Sequence, residues 1–440
     1  MSKNTTRDVF VAGLMLFATY LGAANLIFPP YIGVLTGQNW FIAAIGFLIT
    51  GVGLPMLGLV ALGMRDCDPN AISRRSWPWI AKLLNVIILI MIGPLFAIPR
   101  TAATTCEMSI FPFIPNGVDG KTIYIIASAI YFVLTYLITR KSADGLDKIG
   151  KILSPTLITF LFITIIISLL KPIGKPGIGE EQQQLLYFGV RNGYQTMDGL
   201  GSIVIGGTAV AFFLDKGYKK TEIDKLLPYS TLISGILMGL VYLGFIWLGA
   251  SGGEQLSQYT SQHTLLLSNG MKLLAGNIGQ ILLATIAFFA CLTTSCGLTI
   301  AFVEYFYDFF NEKLSKGFLT IFCVTMSFVI SLIGVEGIIN LAGPILDAIY
   351  PVIISLIILN VCDSFIKKDI IIKGALLGVI VLSPFLLLRN YAFSKSFADN
   401  IINMLPLGKD GFGYIFTAFI GMLIAWIISL FSGNKATQNN

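Results

Sequence analysis

The stretch Phe17-Ala-Thr-Tyr-Leu-Gly22-Ala-Ala-Asn25-Leu-Ile-Phe-Pro29-Pro30 places glycine, asparagine and two prolines inside an apolar run that is long enough to cross a bilayer. A second apolar run is interrupted in the same way, at Gly193-Tyr-Gln-Thr-Met-Asp198-Gly199-Leu-Gly201. Glycine weakens a helix and proline removes a backbone donor, so both runs are predicted to unwind locally. Unwound backbone at membrane depth is tolerated where it lines a cavity. The pattern therefore favours a central cavity over the alternative, a pair of ordinary kinks in packed helices.

The composition places the chain in a membrane. Of its 440 residues 55% are hydrophobic and 12% are charged, and the mean hydropathy is +0.82. Soluble domains carry about twice this charged fraction. The apolar runs are about 20 residues long, which suits spanning helices rather than the alternating ten-residue strands of a barrel. The sequence predicts an all-α polytopic membrane protein in contact with lipid.

Twelve spans are predicted within a single transmembrane domain, 1–440. The first run resembles a signal peptide at its start, but it continues to Pro29-Pro30 and is interpreted as a retained first helix. The predicted spans are 9–35, 39–63, 79–104, 121–139, 150–170, 191–214, 227–250, 277–306, 317–334, 338–361, 370–388 and 411–431.

The distribution of positive charge predicts the orientation. With the first residue on the cytoplasmic side, 20 of the 29 Lys and Arg residues fall on inside segments, 8 fall outside, and Arg100 lies within a span. Cytoplasmic loops of membrane proteins carry this excess of positive charge. We therefore expect a multi-pass protein of the cell (inner) membrane with both termini in the cytoplasm.

The two interruptions fall in the first and sixth spans, five helices apart. Because five is odd, these two helices cross the membrane in opposite directions, as an inverted repeat of five plus five helices requires. The predicted repeats are 9–170 and 191–361, and 370–431 holds two additional helices.

Polar residues inside the spans are candidates for chemistry, and each has a structural alternative. Thr293 and Thr294 either bond carbonyls one turn back or give oxygen ligands to Na⁺ together with the carbonyl of Ala290. Asp198 either caps a half-helix or binds a coupling ion or an ammonium group. Asn25 either caps the outer half of the first helix or ligates an ion. Arg100, towards the outer end of the third span, either snorkels or pairs locally, or gates the outside mouth.

Few residues suit other chemistry. The one histidine, His263, lies in a polar outer segment where we expect it to be solvated, and the six cysteines are scattered. A metal centre, a disulfide framework and a catalytic triad are not predicted, so the protein is not expected to be an enzyme. Neither a nucleic-acid partner nor an obligate protein partner is indicated.

At these motifs the chain resembles the bacterial branched-chain amino acid:cation symporters, a family of the amino acid–polyamine–cation superfamily with the leucine-transporter fold. The resemblance covers essentially the full chain. It is carried by 17–30, by Gly193-Tyr-Gln-Thr-Met-Asp198-Gly199 and by Gly93-Pro94-Leu-Phe-Ala-Ile-Pro99-Arg100-Thr101.

The resemblance implies roles for individual residues. The implied Na⁺ site consists of the carbonyls of Ala18, Leu21 and Ala290 and the hydroxyls of Thr293 and Thr294. The implied substrate site consists of Gly22, Ala23, Asn25, Met197, Asp198 and Gly199. The implied function is import of leucine, isoleucine and valine, coupled to Na⁺ by alternating access. The alternatives are a proton-coupled symporter that uses Asp198 and, from other classes, a channel or a membrane-embedded sensor.

Overall fold

The computed structural model of the protein describes residues 4–64, 77–115, 117–140, 158–362, 366, 368–391 and 395–433. Helices make up most of these ranges, and the extended pairing within them is limited to one isolated bridge, between Gly37 and Ile178. The predicted all-α class is confirmed.

The first half of the chain contains eight helices. Their bounds are α1 Thr5–Tyr20, α2 Ala23–Thr36, α3 Trp40–Leu48, α4 Leu54–Gly63, α5 Pro78–Ile90, α6 Ala97–Ser109, α7 Gly120–Arg140 and α8 Ile158–Leu170. Helices α3 and α4 form one span across a π-helical turn at Ile49–Gly53, and α5 and α6 are joined by a second such turn at Met91–Leu95. The start of the fifth predicted span, 150–157, lies outside the described residues.

The second half begins with another divided span, α9 and α10. The bounds are α9 Leu185–Tyr194, α10 Asp198–Asp215, α11 Lys220–Ser251, α12 Gly253–Leu256, α13 His263–Phe309, α14 Lys316–Ser331, α15 Gly334–Val361, α16 Asp369–Leu388, α17 Lys395–Met404 and α18 Gly413–Gly433. Helix α13 bends at Ala275 and Gly276, where the backbone is not helical. Its first part therefore precedes the predicted eighth span, and we call residues 253–274 the lid segment.

The predicted number of spans agrees with the helices that are described. Among the described residues, seven single helices and the two pairs that continue through π turns, α3 with α4 and α5 with α6, make nine spans that are long and apolar enough to cross a membrane. The bent pair α1 and α2 adds one more. The shorter apolar helices α8 and α14 occupy the positions of the fifth and ninth predicted spans. With twelve spans, α1 begins and α18 ends at the same end of the bundle, which we call the terminal face; the lid segment lies at the opposite face.

Close backbone contact holds α2 against α11. A Cβ atom on Gly33 would lie 1.9 Å from the carbonyl oxygen of Ile246, and one on Gly249 would lie 2.0 Å from that of Pro30. Any side chain at either position would overlap the facing helix. This contact positions α2, and therefore the break that precedes it, in the middle of the bundle.

Both predicted interruptions are present but narrower than predicted. Leu21 and Gly22 alone separate α1 from α2, and Asn25, Pro29 and Pro30 are helical residues of α2. Prolines are tolerated within membrane helices because neighbouring helices satisfy the freed carbonyls. In the sixth span, 195–197 separates the helices, and the glycines that follow Asp198 lie within α10. The predicted disruption by Pro29, Pro30 and those glycines was therefore wrong.

A further distortion, in the third span, was not predicted. Gly93 has φ −84° and ψ −119° inside the π turn between α5 and α6, so the third span is also irregular. A Cβ atom on Gly93 would lie 3.0 Å from the Phe302 ring, which shows how closely α13 packs here. The Gly93-Pro94 pair was the available signal, since π turns and prolines often distort membrane helices.

Candidate functional site

The break in the first span brings two helix ends together in the interior. The axes of α1 and α2 differ by 73°, and Gly22 is extended, with φ −108° and ψ −169°. The last carbonyls of α1, among them those of Ala18 and Leu21, have no partner within the helix, and the first N–H groups of α2 are likewise free of helical bonds. The end of α1 therefore has a partial negative charge and the start of α2 a partial positive charge.

The hydroxyls of α13 face this break. A Cβ atom built on Gly22 would lie 3.5 Å from both the Oγ1 and the Cγ2 atoms of Thr294. The Thr293 hydroxyl donates to the carbonyl oxygens of Phe289 at 3.1 Å and Ala290 at 3.0 Å. The structural alternative for Thr293, bonding to the preceding turn, is thus observed. A hydroxyl that donates in this way keeps oxygen lone pairs for another ligand.

The break in the sixth span carries an acidic residue. Met197 has φ +61°, a left-handed conformation that is costly for a residue with a side chain. Asp198 is the first residue of α10 and is 6% exposed. The peptide N–H of Asp198 points to the Thr196 hydroxyl at 3.4 Å. A carboxylate is therefore held at the start of a helix in the middle of the bundle.

Asn25, Asp198 and Tyr242 connect the two breaks. The Asn25 amide nitrogen donates to Asp198 Oδ2 at 2.5 Å and lies 2.5 Å from the Tyr242 hydroxyl, which is 3.3 Å from the same carboxylate oxygen. All three side chains are buried. The capping alternatives do not match this geometry, because the N-cap positions belong to Gly22 and Met197. The side chains of Asn25 and Asp198 instead bond across α2, α10 and α11.

The remaining predicted residues lie around the same centre. Ala23, Met197 and Ala290 are each 3% exposed, and Gly199 packs against Leu54 and Tyr350. Ala18, Thr293 and Thr294 are partly exposed. The other two candidate ion ligands, Leu21 and Ala290, are as buried as the candidate substrate residues.

Arg100 lies on α6, near the middle of the span Lys82–Phe113, and is 2% exposed. Its guanidinium carbon is 5.8 Å from the centre of the Phe28 ring on α2. It also interacts electrostatically with Asp198, Tyr350 and Cys291, which come from three further helices. Arg100 is therefore part of the central region.

The lid segment, residues 253–274, covers the face of the bundle opposite the terminal face. His263 is 6% exposed, its ring centre is 3.9 Å from that of Tyr31, and its Nδ1 atom is 2.7 Å from Glu336 Oε1. Thr264 donates to Glu107 at 2.7 Å. The prediction that His263 is solvated was wrong, because the lid segment folds back over α2 and α15 instead of extending into solvent. A single histidine in a polar segment gives no sign of this packing.

Several members of the site were not predicted. Tyr242 bonds the central carboxylate, and the Tyr20 hydroxyl and Gln195 Oε1 are buried with no hydrogen-bond partner among the described residues. Tyr20 and Gln195 adjoin the two breaks in sequence, which was a usable signal. Tyr242 is one tyrosine within a long apolar helix, and its role depends on the packing of α11.

Comparisons with known proteins give a consistent result. The sequence profile of a family described as branched-chain amino acid transport protein matches residues 5–432. The branched-chain amino acid permeases BraB and BrnQ of Bacillus subtilis (strain 168) are each 32% identical to this chain. Both alignments cover 98% of the chain, with 98% of BraB and 99% of BrnQ.

A solved structure shares the fold. A Na⁺-coupled sialic acid symporter, in a substrate-bound outward-open state, superposes with a TM-score of 0.59 at 14% identity. The match covers 95% of this chain and 90% of that one. At this identity the likeness shows the fold alone. The predicted fold class, twelve spans with discontinuous first and sixth helices in a five-plus-five arrangement, is confirmed.

Proposed function

The chain belongs to the branched-chain amino acid transport protein family, and from that premise we propose that it imports leucine, isoleucine and valine together with Na⁺. Its relatives are permeases, so the protein is a transporter rather than an enzyme. We place it in the cell membrane with both termini in the cytoplasm, on the basis of the charge distribution.

The observation that carries the proposal is the pair of breaks joined by the bond between Asn25 and Asp198. A zwitterionic amino acid needs a negative group for its ammonium and N–H donors for its carboxylate. Asp198 has the first property, and the free N–H groups at the start of α2, next to Gly22 and Ala23, have the second. Asn25, Met197 and Gly199 complete the proposed substrate site.

The proposed Na⁺ site is the contact between the end of α1 and α13. Sodium is a hard cation and prefers several oxygen ligands. The carbonyls of Ala18, Leu21 and Ala290 and the hydroxyls of Thr293 and Thr294 would supply them. The closeness of Gly22 to α13 supports this site, because a Cβ atom built on Gly22 would lie 3.5 Å from the Thr294 hydroxyl oxygen.

A bound ion would join α1 to α13 and stabilise one conformation over another, which couples the ion gradient to transport. We therefore propose alternating access, with the lid segment closing the opposite face in the state described here. One methylene in an apolar pocket is worth about 1–3 kcal/mol, so the three branched-chain amino acids are expected to be poorly discriminated.

Proton coupling is the second candidate, because Asp198 is a buried acid whose carboxylate accepts hydrogen bonds from Asn25 and Tyr242. The two candidates are separated by radiolabelled leucine uptake into proteoliposomes, with sodium and proton gradients imposed one at a time. We expect uptake to follow the sodium gradient.

Uptake that persists without sodium and collapses with the proton gradient would replace the sodium proposal. Counterflow, in which unlabelled leucine inside the vesicles drives entry of labelled leucine, is expected of a carrier. Its absence, with leucine still permeating, would favour a channel.

A further inference from the structure

Arg100 is a buried cation to which the proposed function assigns no role. Its side chain is 2% exposed, and its Nη1 atom has no hydrogen-bond partner among the described residues. An unpaired charge in a membrane interior is costly, so it is retained only where something compensates it. The guanidinium therefore needs a negative group as its partner.

The backbone of the third span positions the Arg100 side chain near the centre of the bundle. The π turn at Met91–Leu95 and the non-helical Gly93 precede α6, and Arg100 follows one turn into that helix. The side chain then reaches Phe28 of α2, at 5.8 Å from ring centre to guanidinium carbon. Phe28 lies on α2, the helix whose free N–H groups begin beside Gly22. The cation therefore lies near the helix that is proposed to receive the substrate carboxylate.

Asp198 does not neutralise Arg100 directly. Its carboxylate accepts from Asn25 and Tyr242, and within the described ranges no salt bridge connects it to Arg100. The two groups do interact electrostatically, so they face the same region. One region thus contains an acidic side chain and a guanidinium that have separate partners.

We propose that Arg100 is the side-chain anchor for the α-carboxylate of the transported amino acid. This inference rests on the proposed function and deepens it. The guanidinium presents N–H donors in a planar fork that matches a carboxylate, and it would act together with the backbone donors of α2. Asp198 would bind the ammonium group of the same molecule. The pair then selects a zwitterion and rejects amines that lack the carboxylate.

The first test compares leucine with leucinamide, which keeps the ammonium and isobutyl groups but lacks the carboxylate. In proteoliposomes of the wild-type protein, we expect leucinamide to compete with labelled leucine at least about tenfold more weakly than leucine does, the loss typical of a charge-assisted hydrogen bond. Equal competition by the two compounds would overturn the proposal even when the wild-type protein transports leucine well.

The second test changes the arginine. Arg100→Gln is expected to raise the KM for leucine by about 10-fold or more and to reduce the preference for leucine over leucinamide to within about twofold. Arg100→Lys, which keeps the charge but loses the fork, is expected to lie between Arg100→Gln and the wild type. The matched control is Arg389→Gln, because Arg389 pairs with Asp399 between α16 and α17, away from the breaks.

Two outcomes separate this proposal from the proposed function. If the wild-type protein does not transport leucine, the proposed function fails. If it does, and Arg100→Gln keeps both the KM and the rejection of leucinamide, the anchor is wrong. If Arg100→Gln does not fold, thermal unfolding of the wild-type protein decides: leucine is expected to raise the Tm, and an equal rise with leucinamide overturns the proposal.

Discussion

Each of the two breaks interrupts a helix, but the residues at the two breaks differ in chemistry. The first, at Leu21 and Gly22, is extended backbone beside the neutral oxygens of Thr294 and the end of α1. The second, at 195–197, contains a left-handed methionine and leads into the carboxylate of Asp198. One break therefore offers neutral dipoles and the other offers an acidic side chain.

From this difference we expect the two breaks to bind different ligands. A cage of neutral oxygens suits a small hard cation. A buried carboxylate suits an ammonium group, with which it forms a charge-assisted hydrogen bond. The hydrogen bond between Asn25 and Asp198 connects the two breaks, so a substitution at one break is expected to affect the other. Substitutions at each break test how far this division holds.

The largest effect is expected at the charged break. Asp198→Asn keeps an acceptor for Asn25 and Tyr242 but removes the charge. We expect leucine uptake to fall by about 100-fold, because an interaction with a charged group is worth about 1.5–3 kcal/mol and the ammonium would lose it. The measurement is initial uptake by proteoliposomes at equal protein content.

The control for Asp198→Asn is Asp215→Asn, the same substitution at the exposed end of α10. Uptake by this variant should match the wild type. Normal leucine uptake by Asp198→Asn would show that transport does not need a charge at this position. The two breaks would then no longer differ in the way described.

The next effect is expected at the neutral break. Thr293→Ala combined with Thr294→Ala removes two proposed oxygen ligands. We expect the sodium concentration for half-maximal uptake to rise at least about tenfold, equivalent to about 1.4 kcal/mol of ion binding. Uptake is measured over a sodium series at constant ionic strength.

Thr285→Ala is the matched control for the hydroxyls, because Thr285 lies on α13, is exposed, and bonds Ile281 one turn back at 2.9 Å. It should leave the sodium dependence unchanged. If the double variant also leaves it unchanged, the ion site lies elsewhere.

The smallest effect is expected from Gly22→Ala. The new Cβ atom would be 3.5 Å from Thr294, an ordinary contact, and the extended backbone at Gly22 suits any residue. We expect normal folding and a change in sodium dependence of no more than about threefold, well under 1.4 kcal/mol. Gly33→Ala, on the same helix, would overlap Ile246 and is expected to prevent stable folding. Complete loss of uptake in a folded Gly22→Ala protein would contradict this expectation, because it would mean that the added Cβ atom displaces the carboxylate proposed to lie next to Gly22.

Much of the fold was predictable because a chain that spans a membrane can form only helices or a closed barrel. Length and hydropathy located the spans, and Gly22 and Asp198 marked the divided helices. The extent of each break was not predictable: Pro29 and Pro30 stay helical because α2 packs tightly on α11, through Gly33 and Gly249. That contact joins residues more than 200 positions apart, and no local pattern reports it.

The candidate site was predictable where it follows the breaks and not where it depends on packing. Asn25 and Asp198 were identified from their positions in the spans, but their mutual bond and the contribution of Tyr242 arise from the meeting of α2, α10 and α11. His263 was misinterpreted for the same reason. The specific roles of the ion and substrate residues stay predictions.

The packing of His263 has a practical consequence for spectroscopy. Because the chain has one histidine, selective labelling of that residue gives a single imidazole signal from 440 residues. In the arrangement described here, the nearby Tyr31 ring sets its ring-current shift and the Glu336 carboxylate favours the tautomer that is protonated at Nδ1. The wild-type protein therefore carries a built-in, single-site reporter at the lid segment, and its resonance can be followed while substrate and ions are added, without introducing a foreign probe.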